Sequence, residues 1–259
     1  MRQMKDLRIV IPAYNEEAGI AETIDRVKRA CPESEIIVVD DASKDATAQI
    51  ARGKGVEVIS NPTNRGKGGA TKVGLKHNTG NSITYLAFID ADSTYPPESI
   101  PKLYQLCKDD GFQIAIGSRF LGKNRGMPVI RKIGNRIFAI MLSFYSGKRT
   151  TDTSTGLRVF NIALLPLLEP TPDGLDFDTA MTAAVLFEGL EYAEIPIEYY
   201  ARVGNSKLSS LRDGYRFLRV IMKATRKQRP MLFYCTLGIP FMLVESLVRF
   251  TATVRAHDP

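Results

Sequence analysis

The first half of the chain alternates short apolar runs with stretches in which apolar residues recur every three or four positions. The runs predict strands, and the stretches with helical spacing predict helices between them. The predicted strands are residues 7–12, 35–40, 56–59, 84–90 and 113–117. The predicted helices are residues 16–30, 45–52, 68–76 and 97–108. This alternation indicates an α/β fold with a mostly parallel sheet covered by helices on both faces.

The second half has a weaker pattern. Residues 121–155 are rich in Gly, Lys, Arg and Thr, which predicts a loop, a helix at 133–143 and a second loop. A helix at 179–187 and a strand at 192–199 follow. Apolar and basic residues then interleave over 213–228, which predicts a basic amphipathic helix.

Charge and hydropathy separate the C-terminal end from the rest. Nine basic residues and one acid lie between Arg202 and Arg229, whereas the whole chain of 259 residues carries a net charge of +7. The uncharged run 231–244 is shorter than the roughly 20 residues of a spanning helix and contains Pro240. We therefore predict a catalytic domain at 1–210 and a membrane-associating segment at 211–259, with an anionic partner.

Polar residues follow each predicted strand, at the edge where such sheets bind ligands. Asp90 and Asp92 follow the fourth strand, and residues two apart on an extended chain point the same way. Two carboxylates facing one point suit a hard divalent cation. Asp41 follows the second strand, where it either binds a ribose or base or lies beside a helix capped by Ser43.

The sequence lacks the signature motifs of several functional classes. The stretch 66–71 does not complete a phosphate-binding loop, and no dinucleotide fingerprint follows the first strand. Lys67 still begins a helix, where it lies either near a phosphate or in a plain turn. With two histidines and three scattered cysteines, a zinc site or histidine triad is not expected, and the thiols are expected to be reduced. No signal peptide is expected either.

The motifs together resemble those of a known family. They are residues 10–17, 38–47, 64–70, 90–92, 117–120, 152–160, 194–197 and 202–208. The chain resembles family 2 glycosyltransferases with the Rossmann-like GT-A fold, in the branch of the dolichyl-phosphate mannose and glucose synthases. In one departure, Asp176–Met181 lacks a Glu that many members carry.

The resemblance implies a role for each matching position. Donor-binding residues would be Pro12, Ala13, Tyr14, Glu16, Val39, Asp41, Ala91, Arg202 and Lys207. Asp90 and Asp92 would hold Mg²⁺ or Mn²⁺ and would be catalytic together with Arg119 and Arg131. Arg119, Arg131 and Asn135 would bind the acceptor phosphate.

Three functions remain open. The first is inverting transfer of mannose or glucose, from GDP-mannose or UDP-glucose, to a polyprenyl or dolichyl phosphate at the cytoplasmic face of a membrane, without nucleic acid. The second is transfer to a sugar or protein hydroxyl, which needs a carboxylate base such as Asp152 or Asp178. The third is a non-catalytic protein that binds nucleotide-sugars.

Overall fold

The computed structural model describes residues 3–77, 82–124, 126–202 and 210–236. Their centre is a seven-stranded sheet with the order β3-β2-β1-β4-β6-β5-β7. The strands are β1 (Leu7–Ala13), β2 (Glu35–Asp40), β3 (Glu57–Ser60), β4 (Tyr85–Ile89), β5 (Ile114–Ser118), β6 (Leu157–Asn161) and β7 (Tyr192–Pro196). β6 is antiparallel to both of its neighbours, β4 and β5, whereas the other pairs are parallel.

Helices cover both faces of this sheet. They are α1 (Ile20–Ala30), α2 (Thr47–Gly53), α3 (Gly66–Lys76), α4 (Ile100–Lys108), α5 (Val129–Ser146), α6 (Leu165–Leu168), α7 (Phe177–Phe187) and α8 (Ser210–Gln228). Short 3-10 helices at Pro97–Ser99 and Ile162–Leu164 precede α4 and α6.

The alternation of side chains along the strands creates two cores. In β1, Ile9 and Ile11 pack with Ile24 of α1 and Leu103 of α4 on one face. Val10 points to the opposite face and belongs to the core that includes Met181 of α7. All of these side chains are fully buried. The predicted α/β sheet with helices on both faces is therefore confirmed.

The direction of the chain across the sheet reverses beside β1. Along the sheet, β2 lies on one side of β1 and β4 on the other, so the connections that leave β1 and β4 diverge at their carboxyl ends. Such a point in an open α/β sheet leaves a crevice in which ligands bind. The fold thus places Tyr14 and Asp90 at the two sides of one crevice.

Strand β6 differs from the sequence prediction, which had no strand between 113–117 and 192–199. Arg158 is the second residue of β6 and is fully buried, an unusual position for an arginine. Its guanidinium donates to the carbonyls of Thr153, Thr155 and Asp178 and lies 6.0 Å from the centre of the Phe88 ring. These contacts replace the hydrogen bonds that the guanidinium would otherwise make with water. The pattern of apolar residues in the sequence does not predict them.

Smaller differences concern the ends of elements. α1 begins at Ile20 rather than at residue 16, α5 is longer than 133–143, and β7 ends at Pro196. The cap assigned to Ser43 is wrong, because its hydroxyl accepts from the amide of Asn15 and α2 begins beyond it. The remaining predicted strands and helices are confirmed to within a few residues.

The basic helix α8 packs against the catalytic domain. Ile221 is fully buried in a cluster with Leu142 of α5 and Leu186 of α7. The apolar side of α8 thus contacts protein, and the apolar stripe left exposed belongs to α5. Within the described residues, no helix has the length and apolar character needed to cross a membrane. Residues 237–259 lie outside the description, and the domain boundary at 210 stays a prediction.

The contact between α3 and the sheet requires a glycine. A β-carbon on Gly74 would lie 2.5 Å from a methyl carbon of Val10 and 2.9 Å from one of Val39, both fully buried. We expect Gly74→Ala to lower the free energy of unfolding by about 1–2 kcal/mol, because overpacking outweighs the gain in helix propensity. Urea denaturation measures the change. The control is Gly134→Ala in α5, where a β-carbon meets nothing within 4 Å. An equal effect of both variants would contradict the tight packing.

Candidate active site

A cavity of about 770 Å³ opens at the carboxyl edge of the sheet, beside β1 and β4. Residues from both halves of the chain line it. Those expected from the sequence are Pro12, Ala13, Tyr14, Glu16, Asp41, Asp90, Ala91, Asp92, Arg119, Arg131, Asn135 and Arg202. The cavity is also lined by Lys67, which the sequence placed near a phosphate or in a turn, and by Asp178, which it offered as a base. Residues to which it gave no role complete the lining: Tyr95, Met127, Phe138, Tyr199 and Phe217. Asp90 and Asp92 therefore share one cleft with Asp41 and Arg202.

Asp90 forms part of a partly buried ion-pair cluster. The ammonium of Lys67 lies 2.7 Å from Asp90 Oδ1 and 2.6 Å from Asp178 Oδ2. Burial raises the pKa of the Asp90 carboxyl to about 6, with Asp92 and Asp178 adding to the rise and Lys67 opposing it. Burial disfavours the charged form of Lys67, but the two carboxylates outweigh it and hold its pKa above the ordinary value. Lys67 thus neutralises two acids that face the cavity.

Asp92 pairs with a different cation. Arg202 Nη1 donates to Asp92 Oδ2 over 2.7 Å, and Arg202 Nη2 donates to Glu16. Asp92 Oδ1 accepts from the hydroxyl of Thr94 over 2.6 Å. Ser93 between them has a φ of 59°, in the left-handed region that is uncommon for residues other than glycine. The chain therefore turns sharply after Asp90 and presents Asp92 to Arg202.

Asp41 organises the start of α3. Its carboxylate accepts from Asn61 Nδ2 over 2.8 Å, from the Arg65 amide over 2.9 Å and from the Gly66 amide over 2.8 Å. Asp41 is buried, yet it still lines the cavity. The structure thus adds a positioning role at α3 to the predicted contact with a nucleoside, which stays a prediction.

Arg119, which also lines the cavity, is held by a buried carboxylate. Its Nε and Nη2 donate to the two oxygens of Asp152 over 2.7 Å and 2.6 Å. Nη2 also donates to Ser154 Oγ, whose own hydroxyl donates to Asn135 Oδ1 over 2.5 Å. Asp152 is fully buried, and although burial disfavours the arginine cation, Asp152 raises its pKa well above the ordinary value. The pair links the end of β5 to α5.

A second carboxylate fixes the loop that carries Asp152. Glu194 of β7 accepts from the hydroxyl of Thr150 over 2.7 Å and from the amide of Thr151 over 2.9 Å. The Thr151 hydroxyl in turn lies 2.7 Å from that of Ser118 at the end of β5. Glu194 therefore positions the Asp152 loop at the carboxyl edge of β5.

An apolar wall extends from the Arg119 end. It consists of Met127, Pro128, Ile130, Ile133, Ile137, Phe138 and Phe217. The rings of Phe138 and Phe217 meet edge to face with centroids 6.1 Å apart, which joins α5 to α8. Ile130, Ile133 and Ile137 are at least half exposed, so the wall continues from the cavity to the protein surface.

Two predicted donor residues are not placed in the cavity. Val39 is fully buried in the core between β2 and α3 and does not line it. Lys207 lies outside the described residues. Lys67 lines the cavity, where its contacts are the two carboxylates. No group of three or more His, Cys, Asp or Glu residues in the described ranges is arranged to hold a metal by itself.

A protein-family comparison identifies the chain. Residues 8–166 match the model of Glycosyl transferase family 2, over more than half of the sequence. The chain belongs to this family. It is therefore a glycosyltransferase, and the reading as a non-catalytic protein is set aside. The matched region includes β1 to β6 and the cavity residues from Pro12 to Asn135.

Two relatives come from Haloferax volcanii. A low-salt glycan biosynthesis hexosyltransferase, Agl6, is 33% identical over 222 residues, covering 83% of this chain but 53% of its own length. A dolichyl-phosphate hexose transferase is 32% identical over 225 residues, covering 86% of this chain and 96% of the relative. The chain thus spans about half of the first relative and nearly all of the second.

A solved structure confirms the GT-A architecture. Glucosyl-3-phosphoglycerate synthase from Mycobacterium tuberculosis, in complex with Mn²⁺, uridine diphosphate and phosphoglyceric acid, superposes with a TM-score of 0.67. The match covers 85% of this chain and 78% of that one at 22% identity. At this level of identity the similarity concerns the fold alone.

The contribution of the buried Arg119–Asp152 pair to stability can be tested. Asp152→Asn leaves a buried guanidinium without its counter-charge, so we expect the free energy of unfolding to fall by about 3–5 kcal/mol. Asp25→Asn serves as the control, because the side chains of Asp25 and Lys54 are 40% and 33% exposed and their pair should contribute less than about 1 kcal/mol. Chemical denaturation compares both variants with the wild type. Similar small losses in both would show that the buried pair is not needed for stability.

Proposed function

We propose that this glycosyltransferase moves a hexose from a nucleotide-sugar to a polyprenyl phosphate at a membrane surface, with inversion at the anomeric carbon. The observation that supports this proposal is that one cavity contains an acidic end, a basic end and an apolar wall. The acidic end contains Asp90 and Asp92, and the basic end contains Arg119 and Arg131. A metal-bound diphosphate suits the acidic end, an acceptor phosphate suits the basic end, and an isoprenoid chain suits the apolar wall.

A divalent cation, Mg²⁺ or Mn²⁺, fits the acidic end. The two ion-pair clusters there contain the cations Lys67 and Arg202 against Glu16, Asp90, Asp92 and Asp178. The surplus is two negative charges, which matches one divalent ion. Asp90 and Asp92 would hold it, and the remaining ligands would be water and phosphate oxygens, as is usual for Mg²⁺. When bound, the ion neutralises charge on the departing nucleoside diphosphate.

Arg202 lies where it can change partners. It contacts Asp92 and Glu16 in the protein without donor, and a diphosphate offers its guanidinium the same planar geometry as a carboxylate. With Lys207, it would then close over the diphosphate. Pro12, Ala13, Tyr14 and Asp41 would contact the nucleoside from the β1 and β2 side of the crevice.

The acceptor does not need a general base. A phosphate monoester is already an anion near neutral pH, so one of its oxygens can attack the anomeric carbon as the bond to the nucleoside diphosphate breaks. Arg119, Arg131 and Asn135 would orient this phosphate at the basic end. Displacement from the side opposite to the leaving group inverts the configuration.

Transfer to a hydroxyl is the second candidate. Asp152 does not suit the role of base, because the amide and guanidinium of Arg119 and the amide of Ser154 already occupy its oxygens. Asp178 is the remaining candidate of the two, and it lines the cavity. The dolichyl-phosphate hexose transferase among the relatives favours the lipid phosphate.

The exposed stripe of α5 is the surface that we assign to the membrane. Its members are Val129, Ile130, Ile133, Ile137, Ile140 and Phe144, each between 50% and 70% exposed. The stripe continues the apolar wall of the cavity, and Lys132 and Arg136 lie on the same helix. An apolar stripe with flanking cations is suited to an anionic lipid surface. We place this surface on the cytoplasmic side because the cysteines of the described residues are free thiols.

A panel of labelled donors tests the function. GDP-mannose, UDP-glucose and UDP-N-acetylglucosamine are each incubated with polyprenyl phosphate in Mg²⁺, in Mn²⁺ or with a chelator. We expect one donor to give a glycolipid, and the chelator to abolish its formation. Parallel reactions with free polyprenol and with sugar acceptors separate the two candidate functions. Transfer to a hydroxyl but not to the phosphate would overturn the proposal.

A pair of arginine variants sharpens the same experiment. Arg131→Ala removes a cation from the basic end, so we expect kcat/KM for polyprenyl phosphate to fall by about 10- to 100-fold while donor binding is unchanged. Arg29→Ala on α1 is the control, because Arg29 is exposed and does not line the cavity. Equal behaviour of the two variants would contradict the assignment of Arg131.

Membrane association has its own prediction. Replacing both Ile140 and Phe144 by Asp puts charges into the exposed stripe of α5 without reaching the cavity. We expect co-sedimentation with vesicles of anionic phospholipid to be lost, while nucleotide binding is retained. Gln105→Glu on α4 controls for added negative charge at an exposed position. Undiminished vesicle binding of the double variant would exclude this stripe as the membrane contact.

A further inference from the structure

Gly156 lies directly opposite Asp90 in the sheet. β6 runs antiparallel to β4, and Leu157 at the start of β6 pairs with Ile89 at the end of β4. The next pair in this register is Gly156 with Asp90. Residues that face each other on antiparallel strands have neighbouring side chains, but here only Asp90 has one. The reversed direction of β6 therefore brings a glycine to the predicted metal ligand.

The Asp90 carboxylate occupies the space that a side chain on residue 156 would need. A β-carbon on Gly156 would lie 2.5 Å from Asp90 Cγ and 2.6 Å from Oδ1, and closer still to Oδ2. Because the three distances are similar, the carboxylate lies face-on against Gly156. The lone pairs of a carboxylate lie in its plane, so this contact leaves its edges free. One edge meets Lys67, 2.7 Å from Oδ1, and Asp90 lines the cavity.

Hydrogen bonds fix the backbone at Gly156. Its amide donates to the hydroxyl of Tyr95 over 2.8 Å, and Tyr95 is 2% exposed. The hydroxyl of Thr155 donates to the Gly117 carbonyl over 2.6 Å, and the Thr155 carbonyl accepts from Arg158 Nε over 3.1 Å. All three hydrogen bonds are buried, so this backbone cannot retreat without losing them. A methyl group on residue 156 would displace the facing carboxylate instead, which is the end of a rotatable side chain.

We propose that Gly156 is a positioning residue for the divalent cation, because its missing side chain seats the Asp90 carboxylate in the orientation that binds Mg²⁺ or Mn²⁺. The proposal rests on the proposed function for the presence of a cation at Asp90. Gly156 does not line the cavity, so it acts through Asp90 alone. Its φ lies outside the left-handed region, so alanine is compatible with the backbone at this position.

A purely structural glycine is the alternative, and Gly74 provides an example in the same protein. A β-carbon on Gly74 would meet the buried methyl groups of Val10 and Val39, which belong to the core. Gly74 does not line the cavity either. The methyl group of Gly74→Ala thus collides with the core, whereas that of Gly156→Ala collides with a carboxylate of the site. The two roles predict opposite effects on stability and on metal binding.

The experiment measures the affinity for Mn²⁺ and the stability of the same variants. The electron paramagnetic resonance signal of free Mn²⁺ reports its binding in the presence of GDP or UDP, whichever the wild type binds, and without acceptor. We expect Gly156→Ala to weaken Mn²⁺ binding by about 10- to 100-fold, as the loss of a residue that orients a metal ligand does. Gly74→Ala, the matched control, should lower the urea midpoint more than Gly156→Ala does, yet bind Mn²⁺ within about twofold of the wild type.

A double-mutant cycle tests the contact itself. Asp90→Ala removes the carboxylate that the new methyl group would meet, so adding Gly156→Ala to this variant should leave its urea midpoint unchanged. This comparison remains decisive if Gly156→Ala alone does not fold, because the double variant should fold as Asp90→Ala does. An equal fall of the midpoint in both backgrounds would show that the methyl group collides with the strands, and it would overturn the proposal.

This outcome is separate from that of the proposed function. The titration requires Mn²⁺ and a nucleotide but no acceptor, so it is informative even if polyprenyl phosphate proves not to be the acceptor. If the wild type binds Mn²⁺ and Gly156→Ala binds it equally well, only the role of Gly156 fails. If the wild type binds no Mn²⁺ with either nucleotide, the metal-dependent part of the proposed function fails, and the role of Gly156 fails with it.

Discussion

The carboxylates that lie beyond the ends of β1 and β4 need positively charged partners within the protein. Lys67 is the partner of Asp90 and Asp178, and Arg202 is the partner of Asp92 and Glu16. Carboxylates this close together and partly removed from water would otherwise take up protons. The two cations keep an acidic crevice folded in the absence of a ligand, and they leave an excess of negative charge that a ligand has to neutralise.

The positions of the cations follow from backbone features. Lys67 reaches the crevice because glycines on both of its sides let α3 begin against the loop that precedes α7. Asp41 accepts hydrogen bonds from the first amides of that helix. Asp41, which was predicted either to bind a nucleoside or to lie beside a helix capped by Ser43, is thus the anchor of α3, the helix that carries Lys67. Binding and stability are connected through the same side chain.

Most of the donor half could be predicted from the sequence. The apolar runs predict the parallel strands, and the acids that follow them predict the edge at which the ligand binds. Both predictions need only residues that are close together in the sequence. β6 could not be predicted, since an apolar pattern does not indicate that its buried Arg158 donates to the carbonyls of Thr153, Thr155 and Asp178. The ion-pair partners of Arg119 and Asp90 could not be predicted either. Asp152 contacts Arg119 because β6 pairs with β5, and Lys67 contacts Asp90 because α3 packs on the sheet. The amphipathic pattern of α8 was recognised correctly, yet its apolar side faces α5 and α7.

The reversed direction of β6 has a consequence for how this protein can vary. The chain leaves the edge after β5, builds α5 and the Asp152 loop, and returns to the same edge as β6, the immediate neighbour of β5. The residues assigned to the acceptor phosphate therefore lie on one continuous excursion between adjacent strands. The nucleotide side lies on earlier connections, apart from Arg202 and Lys207, which follow β7. Such an arrangement is modular: the excursion can be exchanged to accept another class of molecule while the machinery that activates the sugar is left intact.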